Sequence, residues 1–441
     1  MKKILLTTKD NSRKVLDEID SASLDDLKFL AEQPISKLRV DDNPNLLIFP
    51  QDFDSWGDKI GEQHIFNIDG KALATGNIMG FVGLHDTKVS ISSRFSQSDS
   101  NDYFLHYMLQ KVLAINLFDL KFDSAEESIF DFLIYLFPAY LKRAMRQGIY
   151  KEYQTRQYND ANIRGRVDVN RHIRINNPFV GRIAYSTREY ATDNHMTQLI
   201  RHTIEYIGSH RYGNKILQQD QETADAVKAI QEATPSYVLQ DRRSVISKNL
   251  RSVSHPYFLE YRPLQRLCLQ ILRHEELKYG RDKQEVYGIL FDGAWLWEEY
   301  LNTFLHPLLL HPRNKTKDGR LYLFQNGTGE CYPDFYNKNR GIVLDAKYKG
   351  YESWGNVQNA DLYQVISYMQ ITDANRGGFL VPTKKLHLAP RFLNGSGHKL
   401  MSIIGMNVDE DAINYGEFCQ HMATQETMLM TRVIQFIETV I

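Results

Sequence analysis

Over residues 1–100 the apolar positions come in short β-prone runs, at 46–49, 64–68, 81–84 and 89–91, separated by Gly, Asp and Asn turns. That pattern predicts short strands, interrupted by one helix at about 23–32. Residues 93–102 (SRFSQSDSND) are polar and read as a loop feeding a helix N-cap. From 102 to about 280 the apolar spacing becomes helical, at 103–113, 126–146, 196–207 and 264–277. A strand-like section lies between these helices. From 285 the pattern changes again. A helix at 295–304 precedes three strands, a helix at 357–370, strands near 378–381 and 400–404, and a last helix from about 424 to 439. Helix, three strands, helix, strand is an α/β core able to bury its own sheet. Three regions are therefore expected: a β-rich one at 1–101, a mainly helical one at 102–284, and an α/β domain at 285–441.

The length, 441 residues, suits two or three domains. Hydrophobic residues make up 42% and charged residues 24%, which excludes a mainly disordered, collagenous or coiled-coil chain. Net charge is −1, so overall charge points to no polyanionic partner. Locally it does. Residues 142–188 carry eleven Lys and Arg against three Asp and Glu, a balance of +8. Such a patch can neutralise phosphates, or it can be a solvated face paired with acidic segments elsewhere. Cys268, Cys331 and Cys419 are too scattered for a disulfide framework or a CxxC metal site, and fit a reducing, cytoplasmic setting. The most apolar stretch, 129–141, holds Asp131 and Pro138 and is too short to span a bilayer, so no membrane association is expected. No GxxxxGK[ST] phosphate loop occurs, so any nucleotide hydrolysis must come from another chain.

The chemistry concentrates in CYPDFYNKNRGIVLDAKYKG, residues 331–350. Two β-rich stretches flank the turn-prone Asn337–Arg340, which predicts a hairpin. Asp345 and Lys347 are two apart and share a face, and a turn near Lys338 and Asn339 brings Asp334 across the ladder from Asp345. Charge in an otherwise apolar strand (IVLDAKY) is costly unless it is paired or binds metal. Two carboxylates can hold Mg²⁺ with waters completing its shell, and a lysine beside them can orient or deprotonate the attacking water and pair with phosphate. The competing reading is a structural ion-pair cluster. Downstream, Gln364 and Tyr368 (DLYQVISYM) lie four apart on one helix face, opposite the apolar Leu362, Val365, Ile366 and Met369. They too could be plain surface residues.

Pro333-Asp334, ten residues, then Asp345-Ala346-Lys347 resembles the PD-(D/E)XK nuclease motif, and Gln364 with Tyr368 resembles the QxxxY helix of many such nucleases. FDGAWLWEEYLNTFL, residues 291–305, resembles the preceding helix with its acidic residue, for which Glu298 is favoured over Glu299. The likeness extends to GFVGLHDTKVSISSRF (80–95), GIYKEYQTRQYNDANIRGRVDVNRHI (148–173) and YSTREYATDNHMTQL (185–199). These segments resemble McrC proteins, the nuclease subunits of McrBC-type modification-dependent restriction systems.

The resemblance implies a PD-(D/E)XK core at 285–441 acting as a DNA endonuclease. Asp334, Asp345 and the Ala346 carbonyl would hold Mg²⁺, for which Mn²⁺ can substitute. Lys347 would orient water or pair with phosphate, Glu298 would be an accessory acid, and Gln364 and Tyr368 would support the site. It further implies a McrB-like AAA+ GTPase hexamer as partner, engaged by the N-terminal region, with hydrolysis stimulated by this chain. Arg164 and Arg166 are the candidate partner or DNA contacts; the alternative is that they pair with Asp160 or Asp168. Two rival functions stay open: a repair nuclease of the same fold working without a GTPase ring, and a non-catalytic adaptor of an AAA+ ATPase.

Overall fold

The computed structural model describes residues 4–16, 20–38, 46–50, 59–85, 87–96, 102–113, 125–210, 213–251, 253, 255–279, 286–312, 320–383, 387–395, 398–408 and 411–439. It is a mixed α/β protein of two compact units. One comprises 1–117 with 282–441, the other 118–281. This division cuts the chain differently from the three regions read from the sequence. The boundaries at 101 and 284 themselves fall outside the described residues, as does half of the polar loop 93–102.

Long-range pairing explains the difference. Tyr287–Asp292, read as the start of the C-terminal domain, pairs antiparallel with Ile78–Leu84 and parallel with Leu46–Phe49. It is thus the fourth strand of a five-stranded sheet ordered Ile4–Lys9, Thr87–Ser92, Ile78–Leu84, Tyr287–Asp292, Leu46–Phe49. The same segment starts the next helix, because the Asp292 side chain caps Gly293–Leu305 by accepting from Trp295 N at 2.8 Å. A strand shared with the N-terminal sheet therefore anchors the helix that opens the C-terminal core.

That core is a second five-stranded sheet, ordered Phe335–Asn337, Ile342–Ala346, Arg376–Pro382, Leu400–Met406, His387–Phe392. The three inner strands are parallel and the two edges antiparallel. Ile342–Ala346 is buried throughout, as expected of a parallel strand covered on both faces. Val343, Phe379 and Val381 pack with Val365 and Met369 of the helix Asn359–Ile371. Trp297, fully buried on Gly293–Leu305, donates its indole N–H to Leu380 O at 3.2 Å. Gly378 permits close strand approach, since a Cβ there would lie 2.2 Å from Ser402 O.

The edge strand His387–Phe392 is absent from the sequence reading. Pro390 explains this: proline disfavours strand assignment and is tolerated at an edge beside a bulge, and the register shifts between Leu388 and Arg391. Leu321–Tyr322 and Glu330–Cys331 form a separate two-stranded hairpin. The last helix, Tyr415–Glu438, begins about nine residues earlier than expected, with Asn414 accepting from Glu417 N at 3.0 Å.

The unit 118–281 is mainly helical. Ala125–Met145, His195–Gly208 and Tyr261–Tyr279 pack together, and Asn194 with Thr197 form a capping box. The basic section folds as an antiparallel sheet of Glu152–Asp160, Ile183–Ala191 and Arg166–Val167, followed in chain order from Arg166–Val167 by the helix Val169–Ile175. No helix among the described residues is long and apolar enough to cross a membrane.

Candidate functional site

The hairpin sets the register of the site. Asn337 Oδ1 accepts from Arg340 N at 3.2 Å, and Gly341 adopts φ +62, closing a tight 3₁₀ turn over Lys338–Arg340. Phe335 then pairs with Leu344, so Asp334 stands opposite Asp345 as the spacing predicts. Ala346 N donates to Asp334 Oδ2 at 2.7 Å. Asp345 is fully buried, and Lys347 lies just beyond the strand with its Nζ 2.7 Å from Asp345 Oδ2.

Asp345 Oδ2 is thus ion-paired with Lys347, while Oδ1 has no hydrogen-bond partner among the described residues. A buried carboxylate oxygen left so is costly. Burial and the neighbouring Asp345 push Asp334 well above the usual carboxylate range. Burial raises Asp345 as well, with Lys347 only partly offsetting it. The pair therefore titrates as a unit and resists full ionisation without added positive charge. Burial disfavours the Lys347 ammonium, yet Asp345, Asp334 and Asp361 outweigh it and its pKa lies above the usual lysine value.

The helix Asn359–Ile371 supplies the next residues. Lys347 Nζ donates to Gln364 Oε1 at 3.1 Å, and Gln364 Nε2 donates to the Tyr368 hydroxyl at 3.0 Å. Burial pushes the Tyr368 phenol up to about 12, so it stays protonated at neutral pH. Asp334, Asp345, Lys347, Gln364 and Tyr368 are thus brought together from three elements.

Glu298 sits half-buried on Gly293–Leu305. Its neighbour Glu299 reaches toward the site, with Oε1 3.9 Å from His311 Nε2. That separation is electrostatic contact rather than a hydrogen bond. His311 Nδ1 lies 2.7 Å from the Asp334 carbonyl, and its ring stacks on Phe335 at 5.0 Å. Burial lowers the His311 pKa, but Glu299 and the Asp334 carbonyl outweigh it and leave it raised.

Sequence reasoning weighs His311, with His306, only as a zinc ligand and sets it aside for want of a third, and it does not single out Asp361. Asp361 is buried, with Oδ1 3.5 Å from Lys347 Nζ and Oδ2 3.2 Å from Lys349 Nζ, and it accepts from the Tyr351 hydroxyl. Burial works against its charge, yet these three donors hold its pKa below the usual value. Its place three residues before Gln364, on the same helix face, is the one signal that points to it.

The donor set suits a hard cation. Two carboxylates converge and Asp345 Oδ1 has no hydrogen-bond partner, while no cluster of three His, Cys, Asp or Glu occurs among the described residues. Zinc asks for such a cluster; Mg²⁺ keeps several waters and needs only one or two carboxylates.

Arg164 and Arg166 belong to the other unit. Asp160 is engaged by the Tyr185 hydroxyl, and Asp168 caps Val169–Ile175 through Arg171 N at 3.1 Å. Both arginines remain exposed. Gly165 between them lies against the neighbouring strand, where a Cβ would meet Ser186 O at 2.2 Å. Ile163, Val167, Val169, Ile173, Phe179 and Val180 are exposed around them.

Among solved structures, the chain resembles a chain of a refined half-complex from a tetradecameric assembly of Thermococcus gammatolerans McrB AAA+ hexamers with bound McrC. Identity is 16% and the TM-score 0.48, over 98% of this chain and 100% of that one. A cryo-EM structure of the Thermococcus gammatolerans McrBC complex matches at 16% identity and TM-score 0.34, over 69% of this chain and 87% of the other. No curated protein matches. The family model for the McrBC 5-methylcytosine restriction system component matches residues 73–382, most of the length, and the chain belongs to that family.

Proposed function

We propose that this restriction-system component is the McrC-type nuclease subunit, hydrolysing DNA phosphodiester bonds at a PD-(D/E)XK site in the C-terminal core. The observation that carries the reading is the convergence of Asp334, Asp345 and Lys347 at one end of a buried strand, with Asp345 Oδ1 lacking a hydrogen-bond partner among the described residues. Asp334, Asp345 and the Ala346 carbonyl would hold the cation. When bound, Mg²⁺, or Mn²⁺ in its place, supplies positive charge at the scissile phosphate and acidifies the attacking water.

The chain's own residues do the rest. Asp345, Asp361 and Gln364 present only acceptors to Lys347, so its Nζ is a donor. It pairs with a phosphate oxygen or orients the water rather than taking a proton. Gln364 fixes that ammonium and Tyr368 fixes Gln364. Glu298, or Glu299 through His311, is the accessory acid. The chain has no phosphate loop, so a McrB-like AAA+ GTPase ring would supply nucleotide hydrolysis. The exposed Arg164 and Arg166 would contact that ring or DNA.

The test is nicking of supercoiled plasmid at low salt with Mn²⁺, alone and with an AAA+ partner and GTP. Wild type should nick, and Asp345→Ala and Lys347→Ala should not. Equal nicking by all three proteins would overturn the assignment of the site. No nicking by wild type under either condition would overturn the nuclease reading.

A further inference from the structure

Lys347 has two carboxylate neighbours, and the proposed function requires one of them for something else. Asp345 Oδ2 is 2.7 Å from Nζ and Asp361 Oδ1 is 3.5 Å away. If Asp345 serves a cation, its charge is divided between that cation and the ammonium. Lys347 is only 18% exposed, so water cannot replace a lost counter-ion there, and an unpaired buried charge is expensive. Asp361 is the remaining carboxylate.

Asp361 is itself firmly held. Its Oδ2 takes the Tyr351 hydroxyl and the Lys349 ammonium, which leaves Oδ1 directed at Lys347. It lies in the first turn of Asn359–Ile371, where the helix dipole favours negative charge. One helix face thus presents Asp361, Gln364 and Tyr368 in sequence toward the strand end. Asp361 and Gln364 bracket the ammonium, while Tyr368 steadies Gln364 from behind.

We propose that Asp361 is a positioning residue for the active-site lysine, holding Lys347 in place while Asp345 is engaged by a cation. The proposal rests on the nuclease reading for its consequence in catalysis, but the placement of Lys347 is testable without it. A second role, as a helix-terminal charge that merely stabilises Asn359–Ile371, makes different predictions.

The test uses the full chain with Asp361→Asn and Asp361→Glu. Reductive methylation of the cation-free protein, read by mass spectrometry, reports the freedom of each lysine. Asp361→Asn should speed modification of Lys347 about tenfold, by opening a locally protected site. Asp361→Glu, which keeps the charge, should restore most of the protection. Mn²⁺ affinity by calorimetry should fall in Asp361→Asn, because the released ammonium then competes with the cation for Asp345, and should recover in Asp361→Glu. In plasmid cleavage, Asp361→Asn should lose kcat about 100-fold with KM for DNA little changed, and Asp361→Glu should recover much of it.

A purely helix-stabilising role would lower Tm but leave Lys347 protected in the folded fraction and kcat per folded molecule intact. Either of those results in Asp361→Asn overturns the proposal. Should wild type itself fail to cleave, the nuclease reading falls. The methylation rates would still decide whether Asp361 holds Lys347.

Discussion

Glu426 offers a sharp test of how the first unit is held together. Its side chain is buried among three helices. The Tyr107 hydroxyl of Tyr103–Leu113 donates to Oε1 at 2.9 Å, and the Tyr300 hydroxyl of Gly293–Leu305 donates to the same oxygen at 3.0 Å. Lys111 Nζ pairs with Oε2 at 3.0 Å. Tyr300 is fully buried and Tyr107 is 3% exposed, so water cannot replace the missing acceptor. Glu426→Leu would strand the Tyr107 hydroxyl and leave the Tyr300 hydroxyl only the weak Met406 Sδ acceptor at 3.6 Å, at roughly 1–3 kcal/mol each, so about 2–6 kcal/mol together. The half-exposed Lys111 adds at most about 1 kcal/mol. Glu426→Gln keeps an acceptor oxygen and should cost only about 1–2 kcal/mol. The decisive protein is the triple variant Tyr107→Phe, Tyr300→Phe, Glu426→Leu, which removes donors and acceptor together and should recover most of the loss. The described tryptophans, Trp295, Trp297 and Trp354, lie in this unit, and the sequence has none within 118–281. Their fluorescence in a urea titration therefore reports its unfolding and not that of residues 118–281. If the triple variant is as unstable as Glu426→Leu, stranded hydroxyls are not the cause and the reasoning fails.

Three further outcomes are expected. Asp102, whose carboxylate accepts from Ser93 N and Leu105 N, is raised from 3.8 to about 6 chiefly by burial. Between those values the folded state binds more protons than the unfolded one, so stability falls as pH rises through that window. The total is about 3 kcal/mol, and comparing urea midpoints of wild type and Asp102→Asn at pH 4 and pH 7 should show it as a difference that Asn abolishes. Gly378→Ala places a Cβ 2.2 Å from Ser402 O in a parallel ladder. It should cost about 3 kcal/mol or more and lower Tm, which differential scanning fluorimetry would read. Replacing the exposed Arg164 and Arg166 by Ala should leave stability within about 0.5 kcal/mol. If they meet DNA, the slope of log K against log salt should fall by about 0.9 for each phosphate no longer neutralised; an unchanged slope in filter binding would exclude that role.

The legible parts of this chain are those written in local spacing. Asp334 faces Asp345 because a turn at Lys338–Arg340 fixes the register, and both the turn and the flanking β-prone runs lie within twenty residues. Gln364 and Tyr368 share a face because helices repeat every 3.6 residues, and their hydrogen bond at 3.0 Å follows from that spacing alone. Ile4–Lys9 and Tyr287–Asp292 are not legible as neighbours of the strands they join, since their partners lie about 80 and 200 residues away. A strand partly defined by a distant partner leaves only a weak pattern in its own residues, which is why the C-terminal core reads as separable at 285.

Asp361 escapes the sequence reading for a different reason, and that reason bears on the chemistry. An acidic residue in the first turn of a helix is ordinary, and nothing in the sequence sets this one apart. What distinguishes Asp361 is its surroundings: two lysines from the strand end and a tyrosine hydroxyl close around it. Lys347 and Lys349, just beyond the buried strand, both reach Asp361. The helix packed there meets two ammonium groups, of which only Lys347 is also paired with Asp345. Gln364 can offer a single neutral oxygen to Lys347, which is insufficient for two buried or half-buried cations. A carboxylate one turn earlier is therefore the counterpart that the spacing of Lys347 and Lys349 demands of whichever helix covers the DAKYK strand end.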